Sequence, residues 1–391
     1  MSASDSVDAM QDFLTEVIYP AEEAFADRGG VNDTNEQILN RLVGEAKERG
    51  LWNLFSSLHP GAADRSEAEL IALAELAGRS PVLAQVGLHS LNPDAGVMEL
   101  LLKAGTQQQQ DRWLGPLATG DASAAFCITE PGISSSDPTA TVTSAIDDSR
   151  RPGRLLLSGS KSWCTGALDP RCDVMVVLAV TDPDAPAGRQ HSLLLTSRSD
   201  SGIEVGRNRT VYGYSDIYRG GHPDVTFSQA GAEVLGERGK GLATAQLLLS
   251  PARVVHCVRL VGTAERALEL LCLRLSDRTS RGRVLSSNDL WIDRVAECRI
   301  RIESIRGLIR SLLARASDPV VVSLLKAEVP GQVARIVDIA IQAYGSDGFS
   351  QVAVLADLYA NARSLQISDG PDEVHRRVVG RAEFKQYQCV S

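Results

Sequence analysis

The spacing of apolar and polar residues divides the chain into three parts. Before about Gly120, apolar residues recur every three or four positions, which is typical of amphipathic helices. These predicted helices cover 36–49, 67–77, 97–102 and 107–117. From Ser123 to about Val234, short apolar runs alternate with clusters of Gly, Pro, Asp and Ser, which is typical of strands and turns. These predicted strands cover 124–129, 141–146, 154–157, 174–180, 192–196 and 224–227.

Helical spacing returns after Gly241 and continues towards the C-terminus. The predicted helices cover 242–277, 287–316 and 320–344. Long consecutive helices without intervening strands favour an antiparallel bundle. The sequence therefore predicts an α+β fold in three domains. These are a helical domain over 1–122, a middle antiparallel β-barrel or β-sandwich over 123–234, and a C-terminal four-helix bundle over 235–391.

Composition and charge narrow the class of protein. The 391 residues are 43% hydrophobic and 23% charged, which is ordinary for a globular chain with a sizeable core. The net charge of −9 argues against nucleic acid as a partner, because phosphate backbones are bound by clustered Lys and Arg. No apolar run reaches the ~20 residues that cross a bilayer, and the N-terminus lacks a signal-peptide pattern. We therefore expect no membrane span and a cytoplasmic protein.

Cysteine usage points to the same compartment. The seven cysteines are scattered and form no CxxC pair. They are Cys127, Cys164, Cys172, Cys257, Cys272, Cys298 and Cys389. This pattern predicts reduced thiols that act as small apolar side chains, and no metal site.

Two loops of the predicted β domain carry groups suited to a ligand. The sequence TEPGISSSD over 129–137 ends a strand and then offers backbone N–H groups and hydroxyls, which suit carbonyl or phosphate oxygens. The sequence SGSKSWCTG over 158–166 places Trp163 near Thr165, so that an indole can stack on a flat heterocycle while a hydroxyl bonds its edge. The alternatives are a plain turn for the first loop and a core or interface tryptophan for the second.

A third motif supplies a candidate base. In ISDGPDEVHRR, over 367–377, Asp369 is a good helix cap, Pro371 a good first helical residue, and Asp372 and Glu373 favour the helix dipole. The functional alternative is that Asp369, on a loop at the mouth of a helix, takes a proton from a substrate.

Together these motifs resemble the acyl-CoA dehydrogenase family, and the resemblance spans nearly the whole chain. TEPGISSSD is similar to the family's TEPxxGSD loop, and SGSKSWCTG is similar to its NGxKxWITN segment. RTSRG over 278–282 stands where the family has RxxFG, and 342–349 resembles its QxxGGxGF turn. The sequences GLWNLF over 50–55 and GPDEVH over 370–375 resemble a branch with aspartate in place of the family's catalytic glutamate.

The resemblance implies a reaction. Enzymes of this family bind FAD and remove two hydrogens from an acyl thioester of CoA or of an acyl-carrier protein, leaving the 2-enoyl thioester. A carboxylate takes the α proton while the β hydride passes to flavin N5, and Asp369 matches that carboxylate. In the family, a flavin hydroxyl and the backbone N–H of the base polarise the thioester carbonyl, where negative charge develops. Asp is shorter than Glu by one C–C bond, ~1.5 Å, so the acyl pocket must differ accordingly.

The resemblance also assigns contacts to FAD and to the substrate. The residues that match positions at the flavin ring and its edge are Phe126, Ile128, Thr129, Trp163 and Thr165. Ser136 matches a serine near the pyrophosphate and the acyl-CoA entrance, Arg253 matches an arginine close to CoA, and Gly370 adjoins the base at the substrate.

Further matches concern a neighbouring subunit. Arg278, Arg281, Gln342 and Gly345 match positions close to the FAD of the adjacent subunit, where Arg281 replaces a phenylalanine. The family match therefore implies a homodimer or a dimer of dimers. It also implies an electron acceptor such as an electron-transfer flavoprotein.

Several alternatives remain open. Arg253 shares a helix with Arg259 and Arg266, and these arginines equally suit a solvated or ion-paired face. Gln342 and Gly345 also suit the end of a helix. His222 is interpreted as a loop residue, and His375 as an exposed or hydrogen-bonded side chain.

Two other functions compete with the dehydrogenase hypothesis. One is a flavin-dependent oxidase or monooxygenase on the same fold. Asp369 argues against the monooxygenase, because such relatives often lack the carboxylate. The other is a non-catalytic flavin-binding protein, including the nucleic-acid-associated branch of the family. The acidic net charge argues against that branch.

Overall fold

The N-terminal part of the chain is helical, as its apolar spacing predicts. The computed structural model describes residues 3–25, 33–90 and 93–388. Its first helices are α1 (Ala3–Asp12), α2 (Tyr19–Ala24), α3 (Asp33–Glu48), α4 (Glu67–Gly78), α5 (Leu83–Gly87), α6 (Asp94–Ala104) and α7 (Gln107–Thr119). A π-helical stretch, Phe13–Ile18, joins α1 to α2.

Local sequence fixes both ends of α7. The Thr106 hydroxyl accepts a hydrogen bond from the Gln109 N–H, and the Gln109 side chain accepts one from the Thr106 N–H, which makes a capping box. The helix ends at Gly120, whose φ of 83° is left-handed and costs little in glycine. These caps position the start of the first strand.

The middle domain is a closed β-barrel. Its strands are β1 (Ser123–Cys127), β2 (Ser144–Asp147), β3 (Leu155–Lys161), β4 (Cys172–Val180), β5 (His191–Ser197), β6 (Ile203–Val205) and β7 (Val225–Leu235). Pairing runs β4–β5–β7–β3–β2 and returns to β4, while β6 pairs with β7. The short strand β6 has no counterpart among the predicted strands.

The barrel is mixed rather than wholly antiparallel. Strand β1 pairs with β4 in parallel, from Ser123 opposite Cys172 to Cys127 opposite Val177. Strand β2 also meets β4 in parallel, at Ser144 and Val180. Parallel neighbours need a long crossover, and β2 and β3 supply it between β1 and β4.

Strand β4 explains the longest apolar run of the middle domain. Val174, Val176 and Leu178 pack against the N-terminal helices and against the start of the first helix after the barrel. Met175 and Val177 face the interior of the barrel. A strand that is buried on both faces has no polar alternation, which is why this segment is continuously apolar.

The C-terminal domain is a helical bundle. Its elements are α8 (Gly241–Asp277), a hairpin of β8 (Thr279–Ser280) and β9 (Arg283–Val284), α9 (Asp289–Leu312), α10 (Pro319–Tyr344), α11 (Leu355–Ser364) and α12 (Asp372–Gln388). Helix α10 packs against each of the other four helices. Helix α8 also packs against α4, so the bundle and the N-terminal helices share a long interface.

Helix α8 is also notable for its length and composition. Among the described helices it alone is long and apolar enough to cross a membrane by those two criteria, and half of its most apolar window is buried inside the protein. A core helix of a bundle passes the same test, so the expected absence of a membrane span stays a prediction.

The described cysteines are all free thiols, and all but Cys272 are buried. Burial raises the pKa of Cys257 and of Cys172 to about 12, so both remain protonated at neutral pH. Cys389 lies outside the described residues.

We expect Glu22 to make the stability of the fold depend on pH. Its carboxyl lies 3.9 Å from Arg266, and burial raises its pKa from an ordinary 4.5 to about 7. The folded protein then holds a proton that the unfolded chain releases between these values, so stability falls as pH rises from about 4.5 to about 7. At about 1.4 kcal/mol per pH unit, the E22Q variant is expected to gain up to about 3 kcal/mol at pH ~8.

Urea unfolding at pH ~5 and ~8 measures this effect. The matched control is Glu23→Gln, because Glu23 is the exposed neighbour on the same helix. An E22Q gain that is equal at both pH values, or a matching gain in E23Q, contradicts the assignment.

Candidate active site

One large cavity lies where the barrel, the N-terminal helices and the bundle meet. Its volume is about 1130 Å³. The predicted site residues that line it are Phe126, Ile128, Thr129, Ser136, Trp163, Thr165, Arg253, Asp369 and Gly370. Folding therefore brings the two barrel loops and the third motif to one space, which we call the central cavity.

The Trp163 turn is fixed against the end of β1. The Phe126 N–H donates to the Thr165 carbonyl at 3.2 Å, and the Ser162 N–H donates to the Thr129 carbonyl at 2.8 Å. Trp163 has a left-handed φ of 57°, and its side chain is 46% exposed. The core alternative for this tryptophan is therefore wrong, because the indole forms part of the cavity wall.

A buried ion pair ties the two barrel loops together. The Lys161 ammonium lies 2.7 Å from Glu130 Oε1 and donates to the Ile128 carbonyl at 3.0 Å. The Glu130 carboxylate also accepts from the N–H groups of Val142 and Thr143. Burial alone raises the pKa of Glu130, but the bonds from Lys161, Thr143 and Val142 bring it below its ordinary value.

The Ser-rich loop is both a turn and a cavity wall. The Ser134 and Ser136 hydroxyls lie 2.7 Å apart, and Ser136 is exposed. Asp137 caps the following 3₁₀ turn by accepting from the Thr139 N–H. The plain-turn alternative is thus correct locally, and it does not exclude a ligand because the loop faces the central cavity.

Asp369 sits in an unusual turn between α11 and α12. Its φ is 58° and that of Gly370 is 102°, so two successive residues are left-handed. Helix α12 begins at Asp372, so Asp369 lies two residues before the N-cap position, Pro371. The capping alternative is therefore wrong, and the carboxylate faces the cavity, 3.5 Å from His256 Nε2.

Three cationic or imidazole groups hold the Asp369 turn by its carbonyls. Arg253 Nε donates to the Asp369 carbonyl at 2.8 Å, and His375 Nε2 lies 3.3 Å from the same oxygen. The Lys326 ammonium donates to the carbonyls of Gly370 and Leu365. Arg253 is therefore engaged with the turn, which differs from the solvated face of the alternative interpretation.

The interpretation of His375 as a hydrogen-bonded side chain agrees with its environment. It is 4% exposed, and its Nδ1 lies 3.2 Å from the Ser323 hydroxyl. Burial, together with the charges of Lys326 and Arg253, lowers its pKa to about 4. A neutral ring that donates from Nε2 to a carbonyl leaves Nδ1 as the acceptor for Ser323.

His256 gives Asp369 a neutral neighbour. Burial, with the positive charges of Arg259 and Arg219, lowers the pKa of His256 to about 4 despite the nearby Asp369. His256 is therefore uncharged at pH 7 and does not form an ion pair with Asp369. The Nε atoms of Arg219 and Arg259 are buried and make no hydrogen bond within the described residues. Arg219 and Arg259 both line the cavity and make this part of its wall positive.

The four residues predicted to serve a neighbouring subunit lie apart from the central cavity. Arg278 and Arg281 follow α8, and Gln342 and Gly345 end α10. Arg274 links these two helix ends by donating to the Tyr344 carbonyl at 3.3 Å. All four residues are exposed.

The sequence did not identify several residues that shape the site. His256, Lys326 and Arg259 lie inside long helices, where nothing local distinguishes them from other polar helix residues. His222, which also lines the cavity, was interpreted only as a loop residue. Within the described residues, no group of three His, Cys, Asp or Glu side chains is suited to a metal ion.

Comparison with known proteins shows the class of protein, an oxidoreductase that acts on a CH–CH bond. The family models for the N-terminal, middle and C-terminal domains of acyl-CoA dehydrogenase match residues 4–121, 125–228 and 239–384. The chain belongs to the acyl-CoA dehydrogenase family.

Relatives of known name support this membership. The chain is 36% identical over 388 residues to a Mycobacterium tuberculosis protein named "Probable acyl-CoA dehydrogenase FadE2", covering 96% of this chain and 93% of that protein. It is 35% identical to acyl-CoA dehydrogenase family member 11 of Mus musculus, covering 96% of this chain. It spans only 49% of the length of that mouse protein.

Solved structures show the same fold. The solved "Structure of a putative acyl-CoA dehydrogenase from Mycobacterium abscessus" has a TM-score of 0.89 and 35% identity, and 98% of each chain is covered. The acyl-CoA dehydrogenase of Geobacillus kaustophilus has a TM-score of 0.80 at 23% identity, with 98% of each chain covered, and shows the fold alone.

Proposed function

We propose that the protein uses FAD to remove two hydrogens from an acyl thioester, and that Asp369 takes the α proton. One observation carries the proposal. The Asp369 carboxylate lines the same cavity as the residues that match the family's flavin site, Trp163 and Thr165 among them. The acyl carrier is CoA or an acyl-carrier protein, and family membership favours CoA.

The residues present fit FAD. An exposed indole forms part of the cavity wall beside the Thr165 hydroxyl, which suits a flat ring with polar edges. Arg219 and Arg259 line the same cavity, and their positive charges suit a phosphate-bearing molecule. When bound, FAD supplies the acceptor for the hydride that leaves the β carbon.

The turn that carries Asp369 supplies the rest of the proton-transfer chemistry. A thioester α C–H is a very weak acid, so its carbonyl must be polarised as the proton leaves. The backbone N–H of Asp369 makes no hydrogen bond among the described residues. That N–H is therefore available to a substrate carbonyl, while Arg253, His375 and Lys326 hold the turn from the opposite, carbonyl side.

Assembly, location and electron acceptor are also proposals. We propose a homodimer or dimer of dimers in which four residues approach the FAD of the adjacent subunit: Arg278, Arg281, Gln342 and Gly345. Light scattering, which measures the mass of the assembly in solution, tests this proposal. Large apolar side chains exposed on the bundle support an interface there. They include Leu290, Ile292, Ile300, Phe349 and Val352. The proposed acceptor is an electron-transfer flavoprotein, and the proposed location is the cytoplasm.

Anaerobic reduction tests the proposed function. Purified protein is expected to carry FAD and to lose its visible flavin absorbance when a suitable acyl-CoA from a panel of chain lengths and branches is added without oxygen. The 2-enoyl product is identified by mass spectrometry, as a loss of two hydrogens. Rapid consumption of O₂ with peroxide or an oxygenated product would favour the oxidase or monooxygenase instead. Failure to bind FAD would overturn the proposal.

A further inference from the structure

Behind Thr165, the central cavity contains a chain of hydrogen bonds. The Thr165 hydroxyl lies 2.9 Å from His222 Nδ1, and His222 Nε2 lies 2.9 Å from Asp216 Oδ2. The Tyr218 hydroxyl donates to the other oxygen of Asp216 at 3.0 Å. Asp216, His222 and Thr165 all line the cavity. We call these three residues the Thr–His–Asp relay.

The two backbone segments that carry Thr165 and His222 lie very close to each other. A Cβ on Gly220 would lie 2.5 Å from the Gly166 carbonyl oxygen, and a Cβ on Gly221 would lie 2.5 Å from Asn208 Oδ1. Both glycines have positive φ, 71° and 59°. Because no side chain intervenes, the Gly166 N–H bonds the Gly221 carbonyl, which presses the His222 loop against the Thr165 turn.

The Asp216 carboxylate determines which nitrogen of His222 carries a proton. Burial alone raises the pKa of Asp216, but the hydrogen bond from His222 and the charge of Arg219 lower it below its ordinary value, so Asp216 is a carboxylate. A carboxylate only accepts, so His222 Nε2 carries a proton. With the ring proton on Nε2 and none on Nδ1, Nδ1 is an acceptor and the Thr165 hydroxyl donates to it. The Thr165 oxygen then keeps both lone pairs as acceptors, and Thr165 lines the cavity.

We propose that Asp216 and His222 are positioning residues that fix the Thr165 hydroxyl as a hydrogen-bond acceptor towards the flavin and thereby stabilise the reduced flavin. This inference rests on the proposed function, in which Thr165 meets the edge of the ring. A reduced flavin bears an N–H at N5, which an acceptor stabilises. Without His222, the Thr165 hydroxyl is free to turn and donate to the oxidised ring.

The midpoint potential of the bound flavin tests the relay. The His222→Ala variant is expected to shift the equilibrium of two-electron reduction about tenfold towards the oxidised form. The midpoint potential then becomes ~30 mV more negative. Asp216→Asn is expected to shift it in the same direction, because an amide can donate to Nε2 and so make Nδ1 the donor. This variant also decides the question if His222→Ala does not fold.

The matched control is Thr165→Val, which removes the hydroxyl at nearly constant shape. In that background, His222→Ala is expected to leave the potential unchanged, because no hydroxyl remains to be oriented. An equal shift with and without the hydroxyl would assign His222 a merely structural role. If wild type binds FAD and is reduced by an acyl thioester but neither relay variant moves the potential, the inference alone fails. If wild type is not reduced, the proposed function fails with it.

Discussion

The Asp369→Asn variant is expected to keep its FAD and to lose reduction by substrate. Asn has nearly the shape of Asp and tolerates the left-handed φ of 58° found here, so the turn should survive. A carboxamide cannot take the α proton at neutral pH. General-base groups typically contribute a factor of about 100 to 10,000, so the anaerobic rate of flavin bleaching should fall by at least ~100-fold.

The control for this experiment is Glu383→Gln, an exposed carboxylate on α12 outside the central cavity. It should bleach at the wild-type rate. A second comparison, Asp369→Glu, adds one methylene and moves the carboxylate by ~1.5 Å, so it should retain a base but position it poorly. If Asp369→Asn binds FAD and is bleached as fast as wild type, Asp369 is not the base.

The sequence predicted those parts of the fold that depend on local patterns. Helices α4, α7 and α10 lie within a few residues of the predicted ranges, because apolar spacing and capping residues are local signals. Strand β4 was recognisable because burial on both faces leaves an uninterrupted apolar run. Strand β6, with three residues, carries too little pattern to be recognised.

The candidate site was predicted only in part, and the reason is physical. Asp369 and Trp163 belong to short motifs that resemble a family, so they could be named from the sequence. The residues that contact these motifs come from remote segments of the chain. His256 lies more than a hundred residues before Asp369, and His222 lies 57 residues after Thr165. Only folding places such pairs together, because no local pattern records contacts across that separation.

Lys161→Met is expected to destabilise the barrel and weaken FAD binding. The ammonium is fully buried, and its loss leaves the Glu130 carboxylate buried without its cation. Removing one partner of a buried ion pair typically costs about 3–5 kcal/mol, which urea unfolding measures. The bond from Lys161 to the Ile128 carbonyl is lost as well, so the loop with Thr129 loosens. The Kd for FAD should rise at least tenfold, by titration of the apoprotein.

A second substitution distinguishes two causes of the expected destabilisation: the loss of the attraction between Lys161 and Glu130, and the cost of leaving the buried Glu130 charge unpaired. Glu130→Gln in the Lys161→Met background removes the uncompensated charge but keeps an oxygen for one of the two N–H groups, those of Val142 and Thr143, that bond the carboxylate. The double variant should therefore be more stable than Lys161→Met alone. Arg189→Met, which breaks an exposed ion pair with Glu237, should change little, because solvent screens such pairs. If Lys161→Met is as stable as Arg189→Met, the buried ion pair of Lys161 and Glu130 does not hold the two barrel loops together.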